Sequence, residues 1–405
     1  MLLKVYHLWI SCLRGLNNVV IGTSGWSYKD WLNVFYTSSE KMFQQYASVF
    51  KTVEVDSSFY KQPNPGLIRA LARSSPKDFT FSLKVPKTVT HVKLMDLEKG
   101  AVRDLKLFLS LLTPLKESGK LGPLLLQLPP KPAQAFKGFN EFLRSLPEDY
   151  DFAVEFRHPT WMNDEAFKTL AENNVGYCVV DEPLLPALLK VTSEFSYVRF
   201  HGRGKEPWYY YDYRVEELEE WKGRLTELSS RAKKVYVYFN NHFRGYAVKN
   251  ALQMMKIIGV AEKPQEEALN KILSYFREEG LRRTVSRVEA ALSSGGKDVE
   301  KLVSAFLEGG RLERARELIG RVIIEEAGEE NVKARIKEYT VAISLSERRL
   351  KHYCEDWVKR IGQKQFCKHV AALFLAMKPE ESMRILTLIC RNLDGWVFEA
   401  EAGGS

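Results

Sequence analysis

The chain has 405 residues, 45% of them hydrophobic, with a formal net charge of +9 and five cysteines. That is enough apolar content for one large core and a smaller one, so two domains are expected. The cysteines are too few and too scattered for a disulfide framework, and no stretch approaches the roughly 20 apolar residues of a membrane span, so a cytoplasmic protein without membrane contact is expected.

Residues 1–17, which carry Lys4, His7 and Arg14 and lack a small-residue cleavage site, read as an N-terminal extension and not a secretory leader. Short β-branched or aromatic runs then alternate with amphipathic stretches. Eight such runs occur: 18–23, 52–56, 79–85, 123–128, 151–156, 176–181, 196–201 and 234–240. Eight βα units within residues 18–260 fit a (β/α)8 TIM barrel, because open doubly wound sheets usually stop at five or six strands. Residues 261–330 change to helical periodicity broken by Gly-Gly punctuation, and 331–398 combine a strand-like YTVAISLS with a cysteine-bearing segment and the apolar helical run HVAALFLAM. The tail 399–405, EAEAGGS, reads as disordered.

In a barrel the strand ends converge on one rim, and nearly all of these runs end in polar groups. Ser24, Glu54, Lys84, Gln127, Arg157, Arg199, Asn240 and Asn241, with the aromatic side chains of Trp26 and Trp161, are the candidate substrate-binding residues. Glu155, Asp181 and His201 close the fifth, sixth and seventh runs and form the candidate catalytic group, two carboxylates able to divide acid and base roles if burial separates their pKa values. The bland alternative is that Glu155 pairs with Arg157 and Asp181 with Arg199 to hold the rim together. His91, His158, His201 and His242 make an incomplete ligand set for a multinuclear metal centre, so no catalytic metal is expected.

In order along the chain, the strings GTSGWSYKDW, VEVDSSFYKQP, KVPKTVTH, LGPLLLQLPP, VEFRHPTW, YVRFHG and YFNNHFRGYAVKNA resemble the YecE-like family over roughly residues 19–258. The resemblance implies a TIM-barrel-like fold similar in outline to endonuclease IV and xylose isomerase, and no settled chemistry.

Near the C-terminus, Cys354 and Asp356 lie two residues apart, as do Cys367 and His369. The first pair on an extended strand shares a face, and the second at a helix start can supply the other corners of a tetrahedron. The arrangement resembles a SWIM-type zinc finger, C-x-C then C-x-H before a helix, with Asp356 in place of one cysteine. Structural zinc held by Cys354, Asp356, Cys367 and His369 is therefore expected, with His352 the substitute if Asp356 points away. Residues 331–369 hold 10 basic and 4 acidic side chains, a patch that favours phosphate-bearing partners such as DNA. Two functions follow. One is a hydrolase or lyase acting on a phosphate-containing or nucleic-acid substrate at the rim, targeted by the finger. The other is a non-catalytic module that recognises DNA or a protein partner.

Overall fold

The computed structural model describes residues 16–204, 207–293 and 298–400, which leaves residues 1–15 of the expected extension and 401–405 of the expected tail outside the described part. Two compact units divide between Ile272 and Leu273.

The first unit is a parallel barrel of β1 (Val19–Thr23), β2 (Thr52–Val55), β3 (Thr80–Lys84), β4 (Leu121–Gln127), β5 (Phe152–Glu155), β6 (Gly176–Asp181), β7 (Phe195–Phe200) and β8 (Lys234–Phe239). Sheet order runs β1-β8-β7-β6-β5-β4-β3-β2, so every strand from β2 to β8 pairs with its neighbour in sequence and β1 pairs with β8. The β1–β2 seam is nearly closed. A single parallel bridge joins Ser24 to Glu54, and Gly25 N–H donates to Glu54 O at 2.7 Å. The seam explains one glycine: a Cβ on Gly22 would lie 2.2 Å from Thr52 O, so only glycine lets the two backbones come this close.

Side chains alternate across each strand, and one parity of every strand fills the interior. Leu125, Ala153, Cys178, Val180, Phe195, Tyr197, Tyr236 and Tyr238 pack there as one cluster. Two of its tyrosines are hydrogen-bonded locally, with Tyr238 OH 2.7 Å from Thr52 Oγ1 and 2.9 Å from Ser82 Oγ, and Tyr197 OH donating to Glu54 Oε2. Helices cover the outside. The helix Val215–Arg231 shows the reason in its spacing, because Leu218, Trp221, Leu225 and Leu228 recur at intervals of three or four and are all buried.

The second unit is built on the sheet β9 (Val322–Ala327), β10 (Asn331–Ile336), β11 (Tyr339–Ser344), β12 (Arg349–His352) and β13 (Val397–Ala400), in the order β13-β12-β11-β10-β9. Strands β9 to β12 pair antiparallel, and β13 joins β12 in parallel. Val332, Ala334 and Ile336 on the inner face of β10 pack with Val370, Leu373 and Phe374 of the helix Lys368–Ala376 in one hydrophobic core. Strand β9 begins inside the stretch read as helical, and Glu399 and Ala400 of the expected tail belong to β13. No helix among the described residues is long and apolar enough to cross a membrane.

Candidate functional site

The barrel mouth is organised by one guanidinium. Arg199, at the inward-facing position two residues after Tyr197, is fully buried, and its Nη1 and Nη2 donate to Glu155 Oε2 at 2.5 Å and Glu54 Oε1 at 2.7 Å. Glu54 is further held by Ser24 Oγ and Tyr197 OH, each at 2.7 Å. Glu155 also accepts from Gln127 Nε2 at 2.7 Å and from Arg157 Nε. Arg157 continues outward, with Nη1 donating to Glu182 Oε2 at 2.9 Å and Nη2 to His201 Nε2 at 3.0 Å. Arg199 Nη1 also faces His201 Nε2, at 3.3 Å, and the other ring nitrogen lies 3.0 Å from the Asn240 amide.

These charges set the protonation states. Burial pushes Glu155 up, but Arg157 and Arg199 outweigh it and hold the carboxyl well below its usual range. Burial, then the same two arginines, drives His201 down to about 3, so the ring is neutral and its Nε2 is free to accept from the guanidinium groups. Burial raises Glu182 to about 7 despite Arg157, whose stabilising effect Glu155 partly offsets. Burial and then Arg199 lower Lys84 to about 8, against the pull of Glu54, Glu155 and Asp56. Asp56 is itself raised, by burial and then by Glu54.

The mouth therefore gathers Ser24, Glu54, Lys84, Gln127, Glu155, Arg157, Arg199, His201 and Asn240. Other candidates point elsewhere. Asp181 accepts from Arg203 Nε and Nη2 at 2.9 and 2.7 Å, from Tyr213 OH at 2.8 Å and from Trp221 Nε1 at 2.7 Å. Its partner is Arg203, not Arg199, and the bonds fasten the end of β6 to the outer layer. Asn241 donates to Tyr211 O and Asn250 Oδ1. Trp161 stacks on Phe156 with centroids 4.9 Å apart, and Trp26 meets Phe43 edge-on at 5.6 Å, so both serve packing. Glu182, absent from the sequence-based set, takes the inward place. Strand parity is the signal for it: Cys178 and Val180 face the interior, so the next inward position is 182, not 181.

A second cluster lies in the C-terminal unit. His352, Cys354, Cys367 and His369 are all buried, and their donor atoms lie within 4.8 Å of one another, a four-ligand group able to hold a metal ion. His352 ends β12, Cys354 caps the helix Glu355–Val358, and Cys367 caps the helix Lys368–Ala376. Backbone N–H groups of Trp357 and Val370 point at the two sulfurs at 3.3 and 3.5 Å. His352 Nδ1 is fixed by Thr340 O at 2.7 Å, which leaves its buried Nε2 without a partner. A donor set of two thiols and two imidazoles with an orphaned, pre-oriented nitrogen fits a tetrahedral metal. Asp356 is not part of it. Its carboxylate is engaged by Arg311 at 2.9 and 3.1 Å and by Arg360 at 2.8 Å, which corrects the expected ligand and brings in His352.

The comparisons with known proteins bear on the first unit. UPF0759 protein YunF of Bacillus subtilis (strain 168) is 29% identical over 268 residues, 60% of this chain and 95% of the relative. UPF0759 protein YecE of Escherichia coli (strain K12) is 31% identical over 145 residues, 35% of this chain and 49% of the relative. A crystal structure of a DUF72 family protein from Thermotoga maritima superposes with a TM-score of 0.54 at 35% identity, covering 60% of this chain and 99% of that one. A DUF72 family structure from Enterococcus faecalis, 24% identical, shares the fold with a TM-score of 0.53 over 60% of this chain and 97% of that one. Residues 20–272 match the family described as protein of unknown function DUF72, and the chain belongs to that family.

Proposed function

We propose that the barrel mouth is the active site of an enzyme, a hydrolase or lyase acting on a small phosphate-bearing substrate. The observation that carries this reading is the division of labour among the buried charges. Arg157 and Arg199 are committed to carboxylates, whereas Glu182 sits at about 7, near the pKa that serves proton transfer best at neutral pH. Lys84 is left as the group that meets the substrate, because among the described residues it has no ion pair. In this reading Glu182 is the general acid or base, Glu155 is the counter-ion that fixes Arg157 and Arg199, and neutral His201 positions Asn240 and Arg157.

The test is a panel of phosphomonoesters, phosphodiesters and sugar phosphates assayed for turnover with the wild-type chain and with Glu182→Gln. A general acid or base contributes about 10²–10⁴-fold, so kcat on any active compound should fall at least about 100-fold in a folded variant. Equal turnover by both proteins would refute the assignment.

We further propose that the metal of the C-terminal unit is zinc, held by His352, Cys354, Cys367 and His369. Zinc bound there would supply a structural cross-link between β12 and the two helix starts. Supporting this are the soft and borderline donors and the orphaned Nε2 of His352.

A second reading makes the C-terminal unit a recognition surface for DNA or another phosphate-bearing partner, supported by Lys333 and Arg335 on the exposed face of β10. It ranks second because Glu325 lies 3.7 and 3.5 Å from them and offsets their charge. DNA affinity that collapses between about 50 and 200 mM salt would favour it.

A further inference from the structure

Lys84 is an outlier among the buried lysines. It closes β3 with 7% exposure, and among the described residues its ammonium has no hydrogen bond and no carboxylate within ion-pair distance. Lys120 is buried to the same 7%, yet donates to Ala72 O and Ser75 O at 2.8 Å and to Ser75 Oγ at 3.0 Å. Lys249, at 8%, pairs with Asp212. The described neighbour of Lys84 Nζ is instead the Phe59 ring, 4.9 Å from its centroid. Leaving a buried ammonium without an acceptor favours the free amine, and a desolvated lysine is the form that acts as a nucleophile.

The chain after Lys84 is shaped with unusual care. Residues Thr88–Val92 form a π-helical turn, and Leu94 and Met95 then both adopt left-handed conformations at φ 51° and 59°. Two consecutive non-glycine residues there store strain of the kind that the surrounding structure must hold in place. The turn carries His91, whose ring packs against the same Phe59 ring in a T-shaped arrangement with centroids 4.8 Å apart. Burial and then Lys84 lower His91 to about 4, so Lys84 has a neutral ring as its neighbour. The charges that act on Lys84 are Arg199 from β7, Glu54 and Asp56 at the end of β2, and Glu155 from β5.

We propose that the Lys84 amine is a covalent nucleophile that forms an imine with an aldehyde or ketone substrate in the barrel mouth. The inference rests on the mouth being the active site and narrows the reaction to carbonyl chemistry of the lyase kind. The nitrogen lone pair attacks the carbonyl carbon, and the C=O π pair moves to oxygen and is protonated, giving a carbinolamine. Uptake of a proton and loss of water leave the iminium. The net change is one amine, one carbonyl and one proton converted to one iminium and one water. The iminium then draws electrons from an adjacent C–C or C–H bond, and hydrolysis returns the amine.

The experiment uses the wild-type full chain, so no variant has to fold. Formaldehyde, pyruvate, dihydroxyacetone phosphate and glyceraldehyde 3-phosphate are each incubated with it at neutral pH in the presence of cyanoborohydride, which reduces an iminium to a stable secondary amine. Peptide mass spectrometry then reads labelling at every lysine. Lys84 should be labelled at least about tenfold faster than exposed Lys168 by one of the three larger carbonyls, following its larger free-amine fraction. Labelling by formaldehyde but by none of the three would overturn the imine and leave the active-site reading standing. Failure of formaldehyde to reach Lys84 would overturn both, because the mouth would then be closed to ligands.

Discussion

The barrel mouth and the C-terminal His/Cys group both bury several ionisable side chains, yet they satisfy them in opposite ways. In the mouth, charge meets charge. Arg199 spans Glu54 and Glu155, and Arg157 spans Glu155 and Glu182. In the C-terminal group no lysine, arginine or carboxylate is among the four clustered residues, and backbone groups orient them while His352 Nε2 stays unpaired. A set of charges that balances itself can hold a fold without help. A set of lone pairs that all aim at one another calls for a cation.

The largest effect should come from removing that cation. Structural zinc in small domains contributes on the order of 10 kcal/mol of apparent folding free energy. Elemental analysis is expected to find about one zinc per chain, lost in Cys367→Ser, with the C-terminal unit becoming exchange-labile while the barrel keeps its protection. A Cys367→Ser protein with unchanged metal content, or with both units intact, would erase the distinction between the two regions. The mouth should respond next. Arg199→Met leaves Glu54 and Glu155 buried without their shared partner, which should cost about 3–5 kcal/mol in a urea titration. Adding Glu54→Gln should recover part of that loss, because the stranded charge is then gone. No recovery would mean that Arg199 acts through packing and not through charge.

How much of this was legible in the sequence differs between the same two regions. The eight barrel strands and the rim residues follow from short β-branched runs ending in polar groups, and Glu155, Arg199 and His201 do meet. The error lay at β6, where the last polar residue of the run was taken as the inward one. Parity along β6 turns Asp181 outward to Arg203 and Trp221 and turns Glu182 inward, and a one-residue step reverses the face. Strand β9 was hidden for another reason. It is an edge strand with exposed Ile323, Ile324, Glu325 and Glu326, so it carries no period-two pattern to read. At the cluster, the Cys354-x-Asp356 spacing put Asp356 ahead of His352, which stood only as its substitute. Only the folded chain places Arg311 beside Asp356, from 45 residues away.

A smaller effect tests the mouth by titration. Glu182 has a folded pKa of about 7 against 4.5 for the ordinary group, so between those values the folded state holds a proton that the unfolded state has lost. Its contribution to stability is present below about 4.5 and is lost as pH rises through about 7. His201, lowered from 6.5 to about 3, slopes the opposite way, because its unfolded ring binds the extra proton in that range. The two partly cancel in the wild type. The difference between wild type and Glu182→Gln isolates the carboxyl: measured by urea midpoint from pH 4.5 to 8, the wild type should lose stability relative to the variant as pH rises. A flat difference would show that Glu182 titrates normally and would remove the basis for its role in proton transfer.

The smallest effect falls at Asp356, and it separates a ligand from a neighbour. Its carboxylate is 37% exposed and bridges Arg311 and Arg360, so Asp356→Asn should cost about 1 kcal/mol, the scale of a partly exposed ion pair. It should leave the metal stoichiometry at about one and the exchange protection of the helix Lys368–Ala376 unchanged. His352→Asn removes less charge, yet it should weaken metal retention against a chelator by far more, because it takes away the Nε2 that the Thr340 bond to Nδ1 orients. The ratio of the two retention losses is the quantity to measure. If Asp356→Asn releases the metal as readily as His352→Asn, the carboxylate swings from Arg311 to the ion on binding, and the C-terminal group would then balance charge with charge as the mouth does.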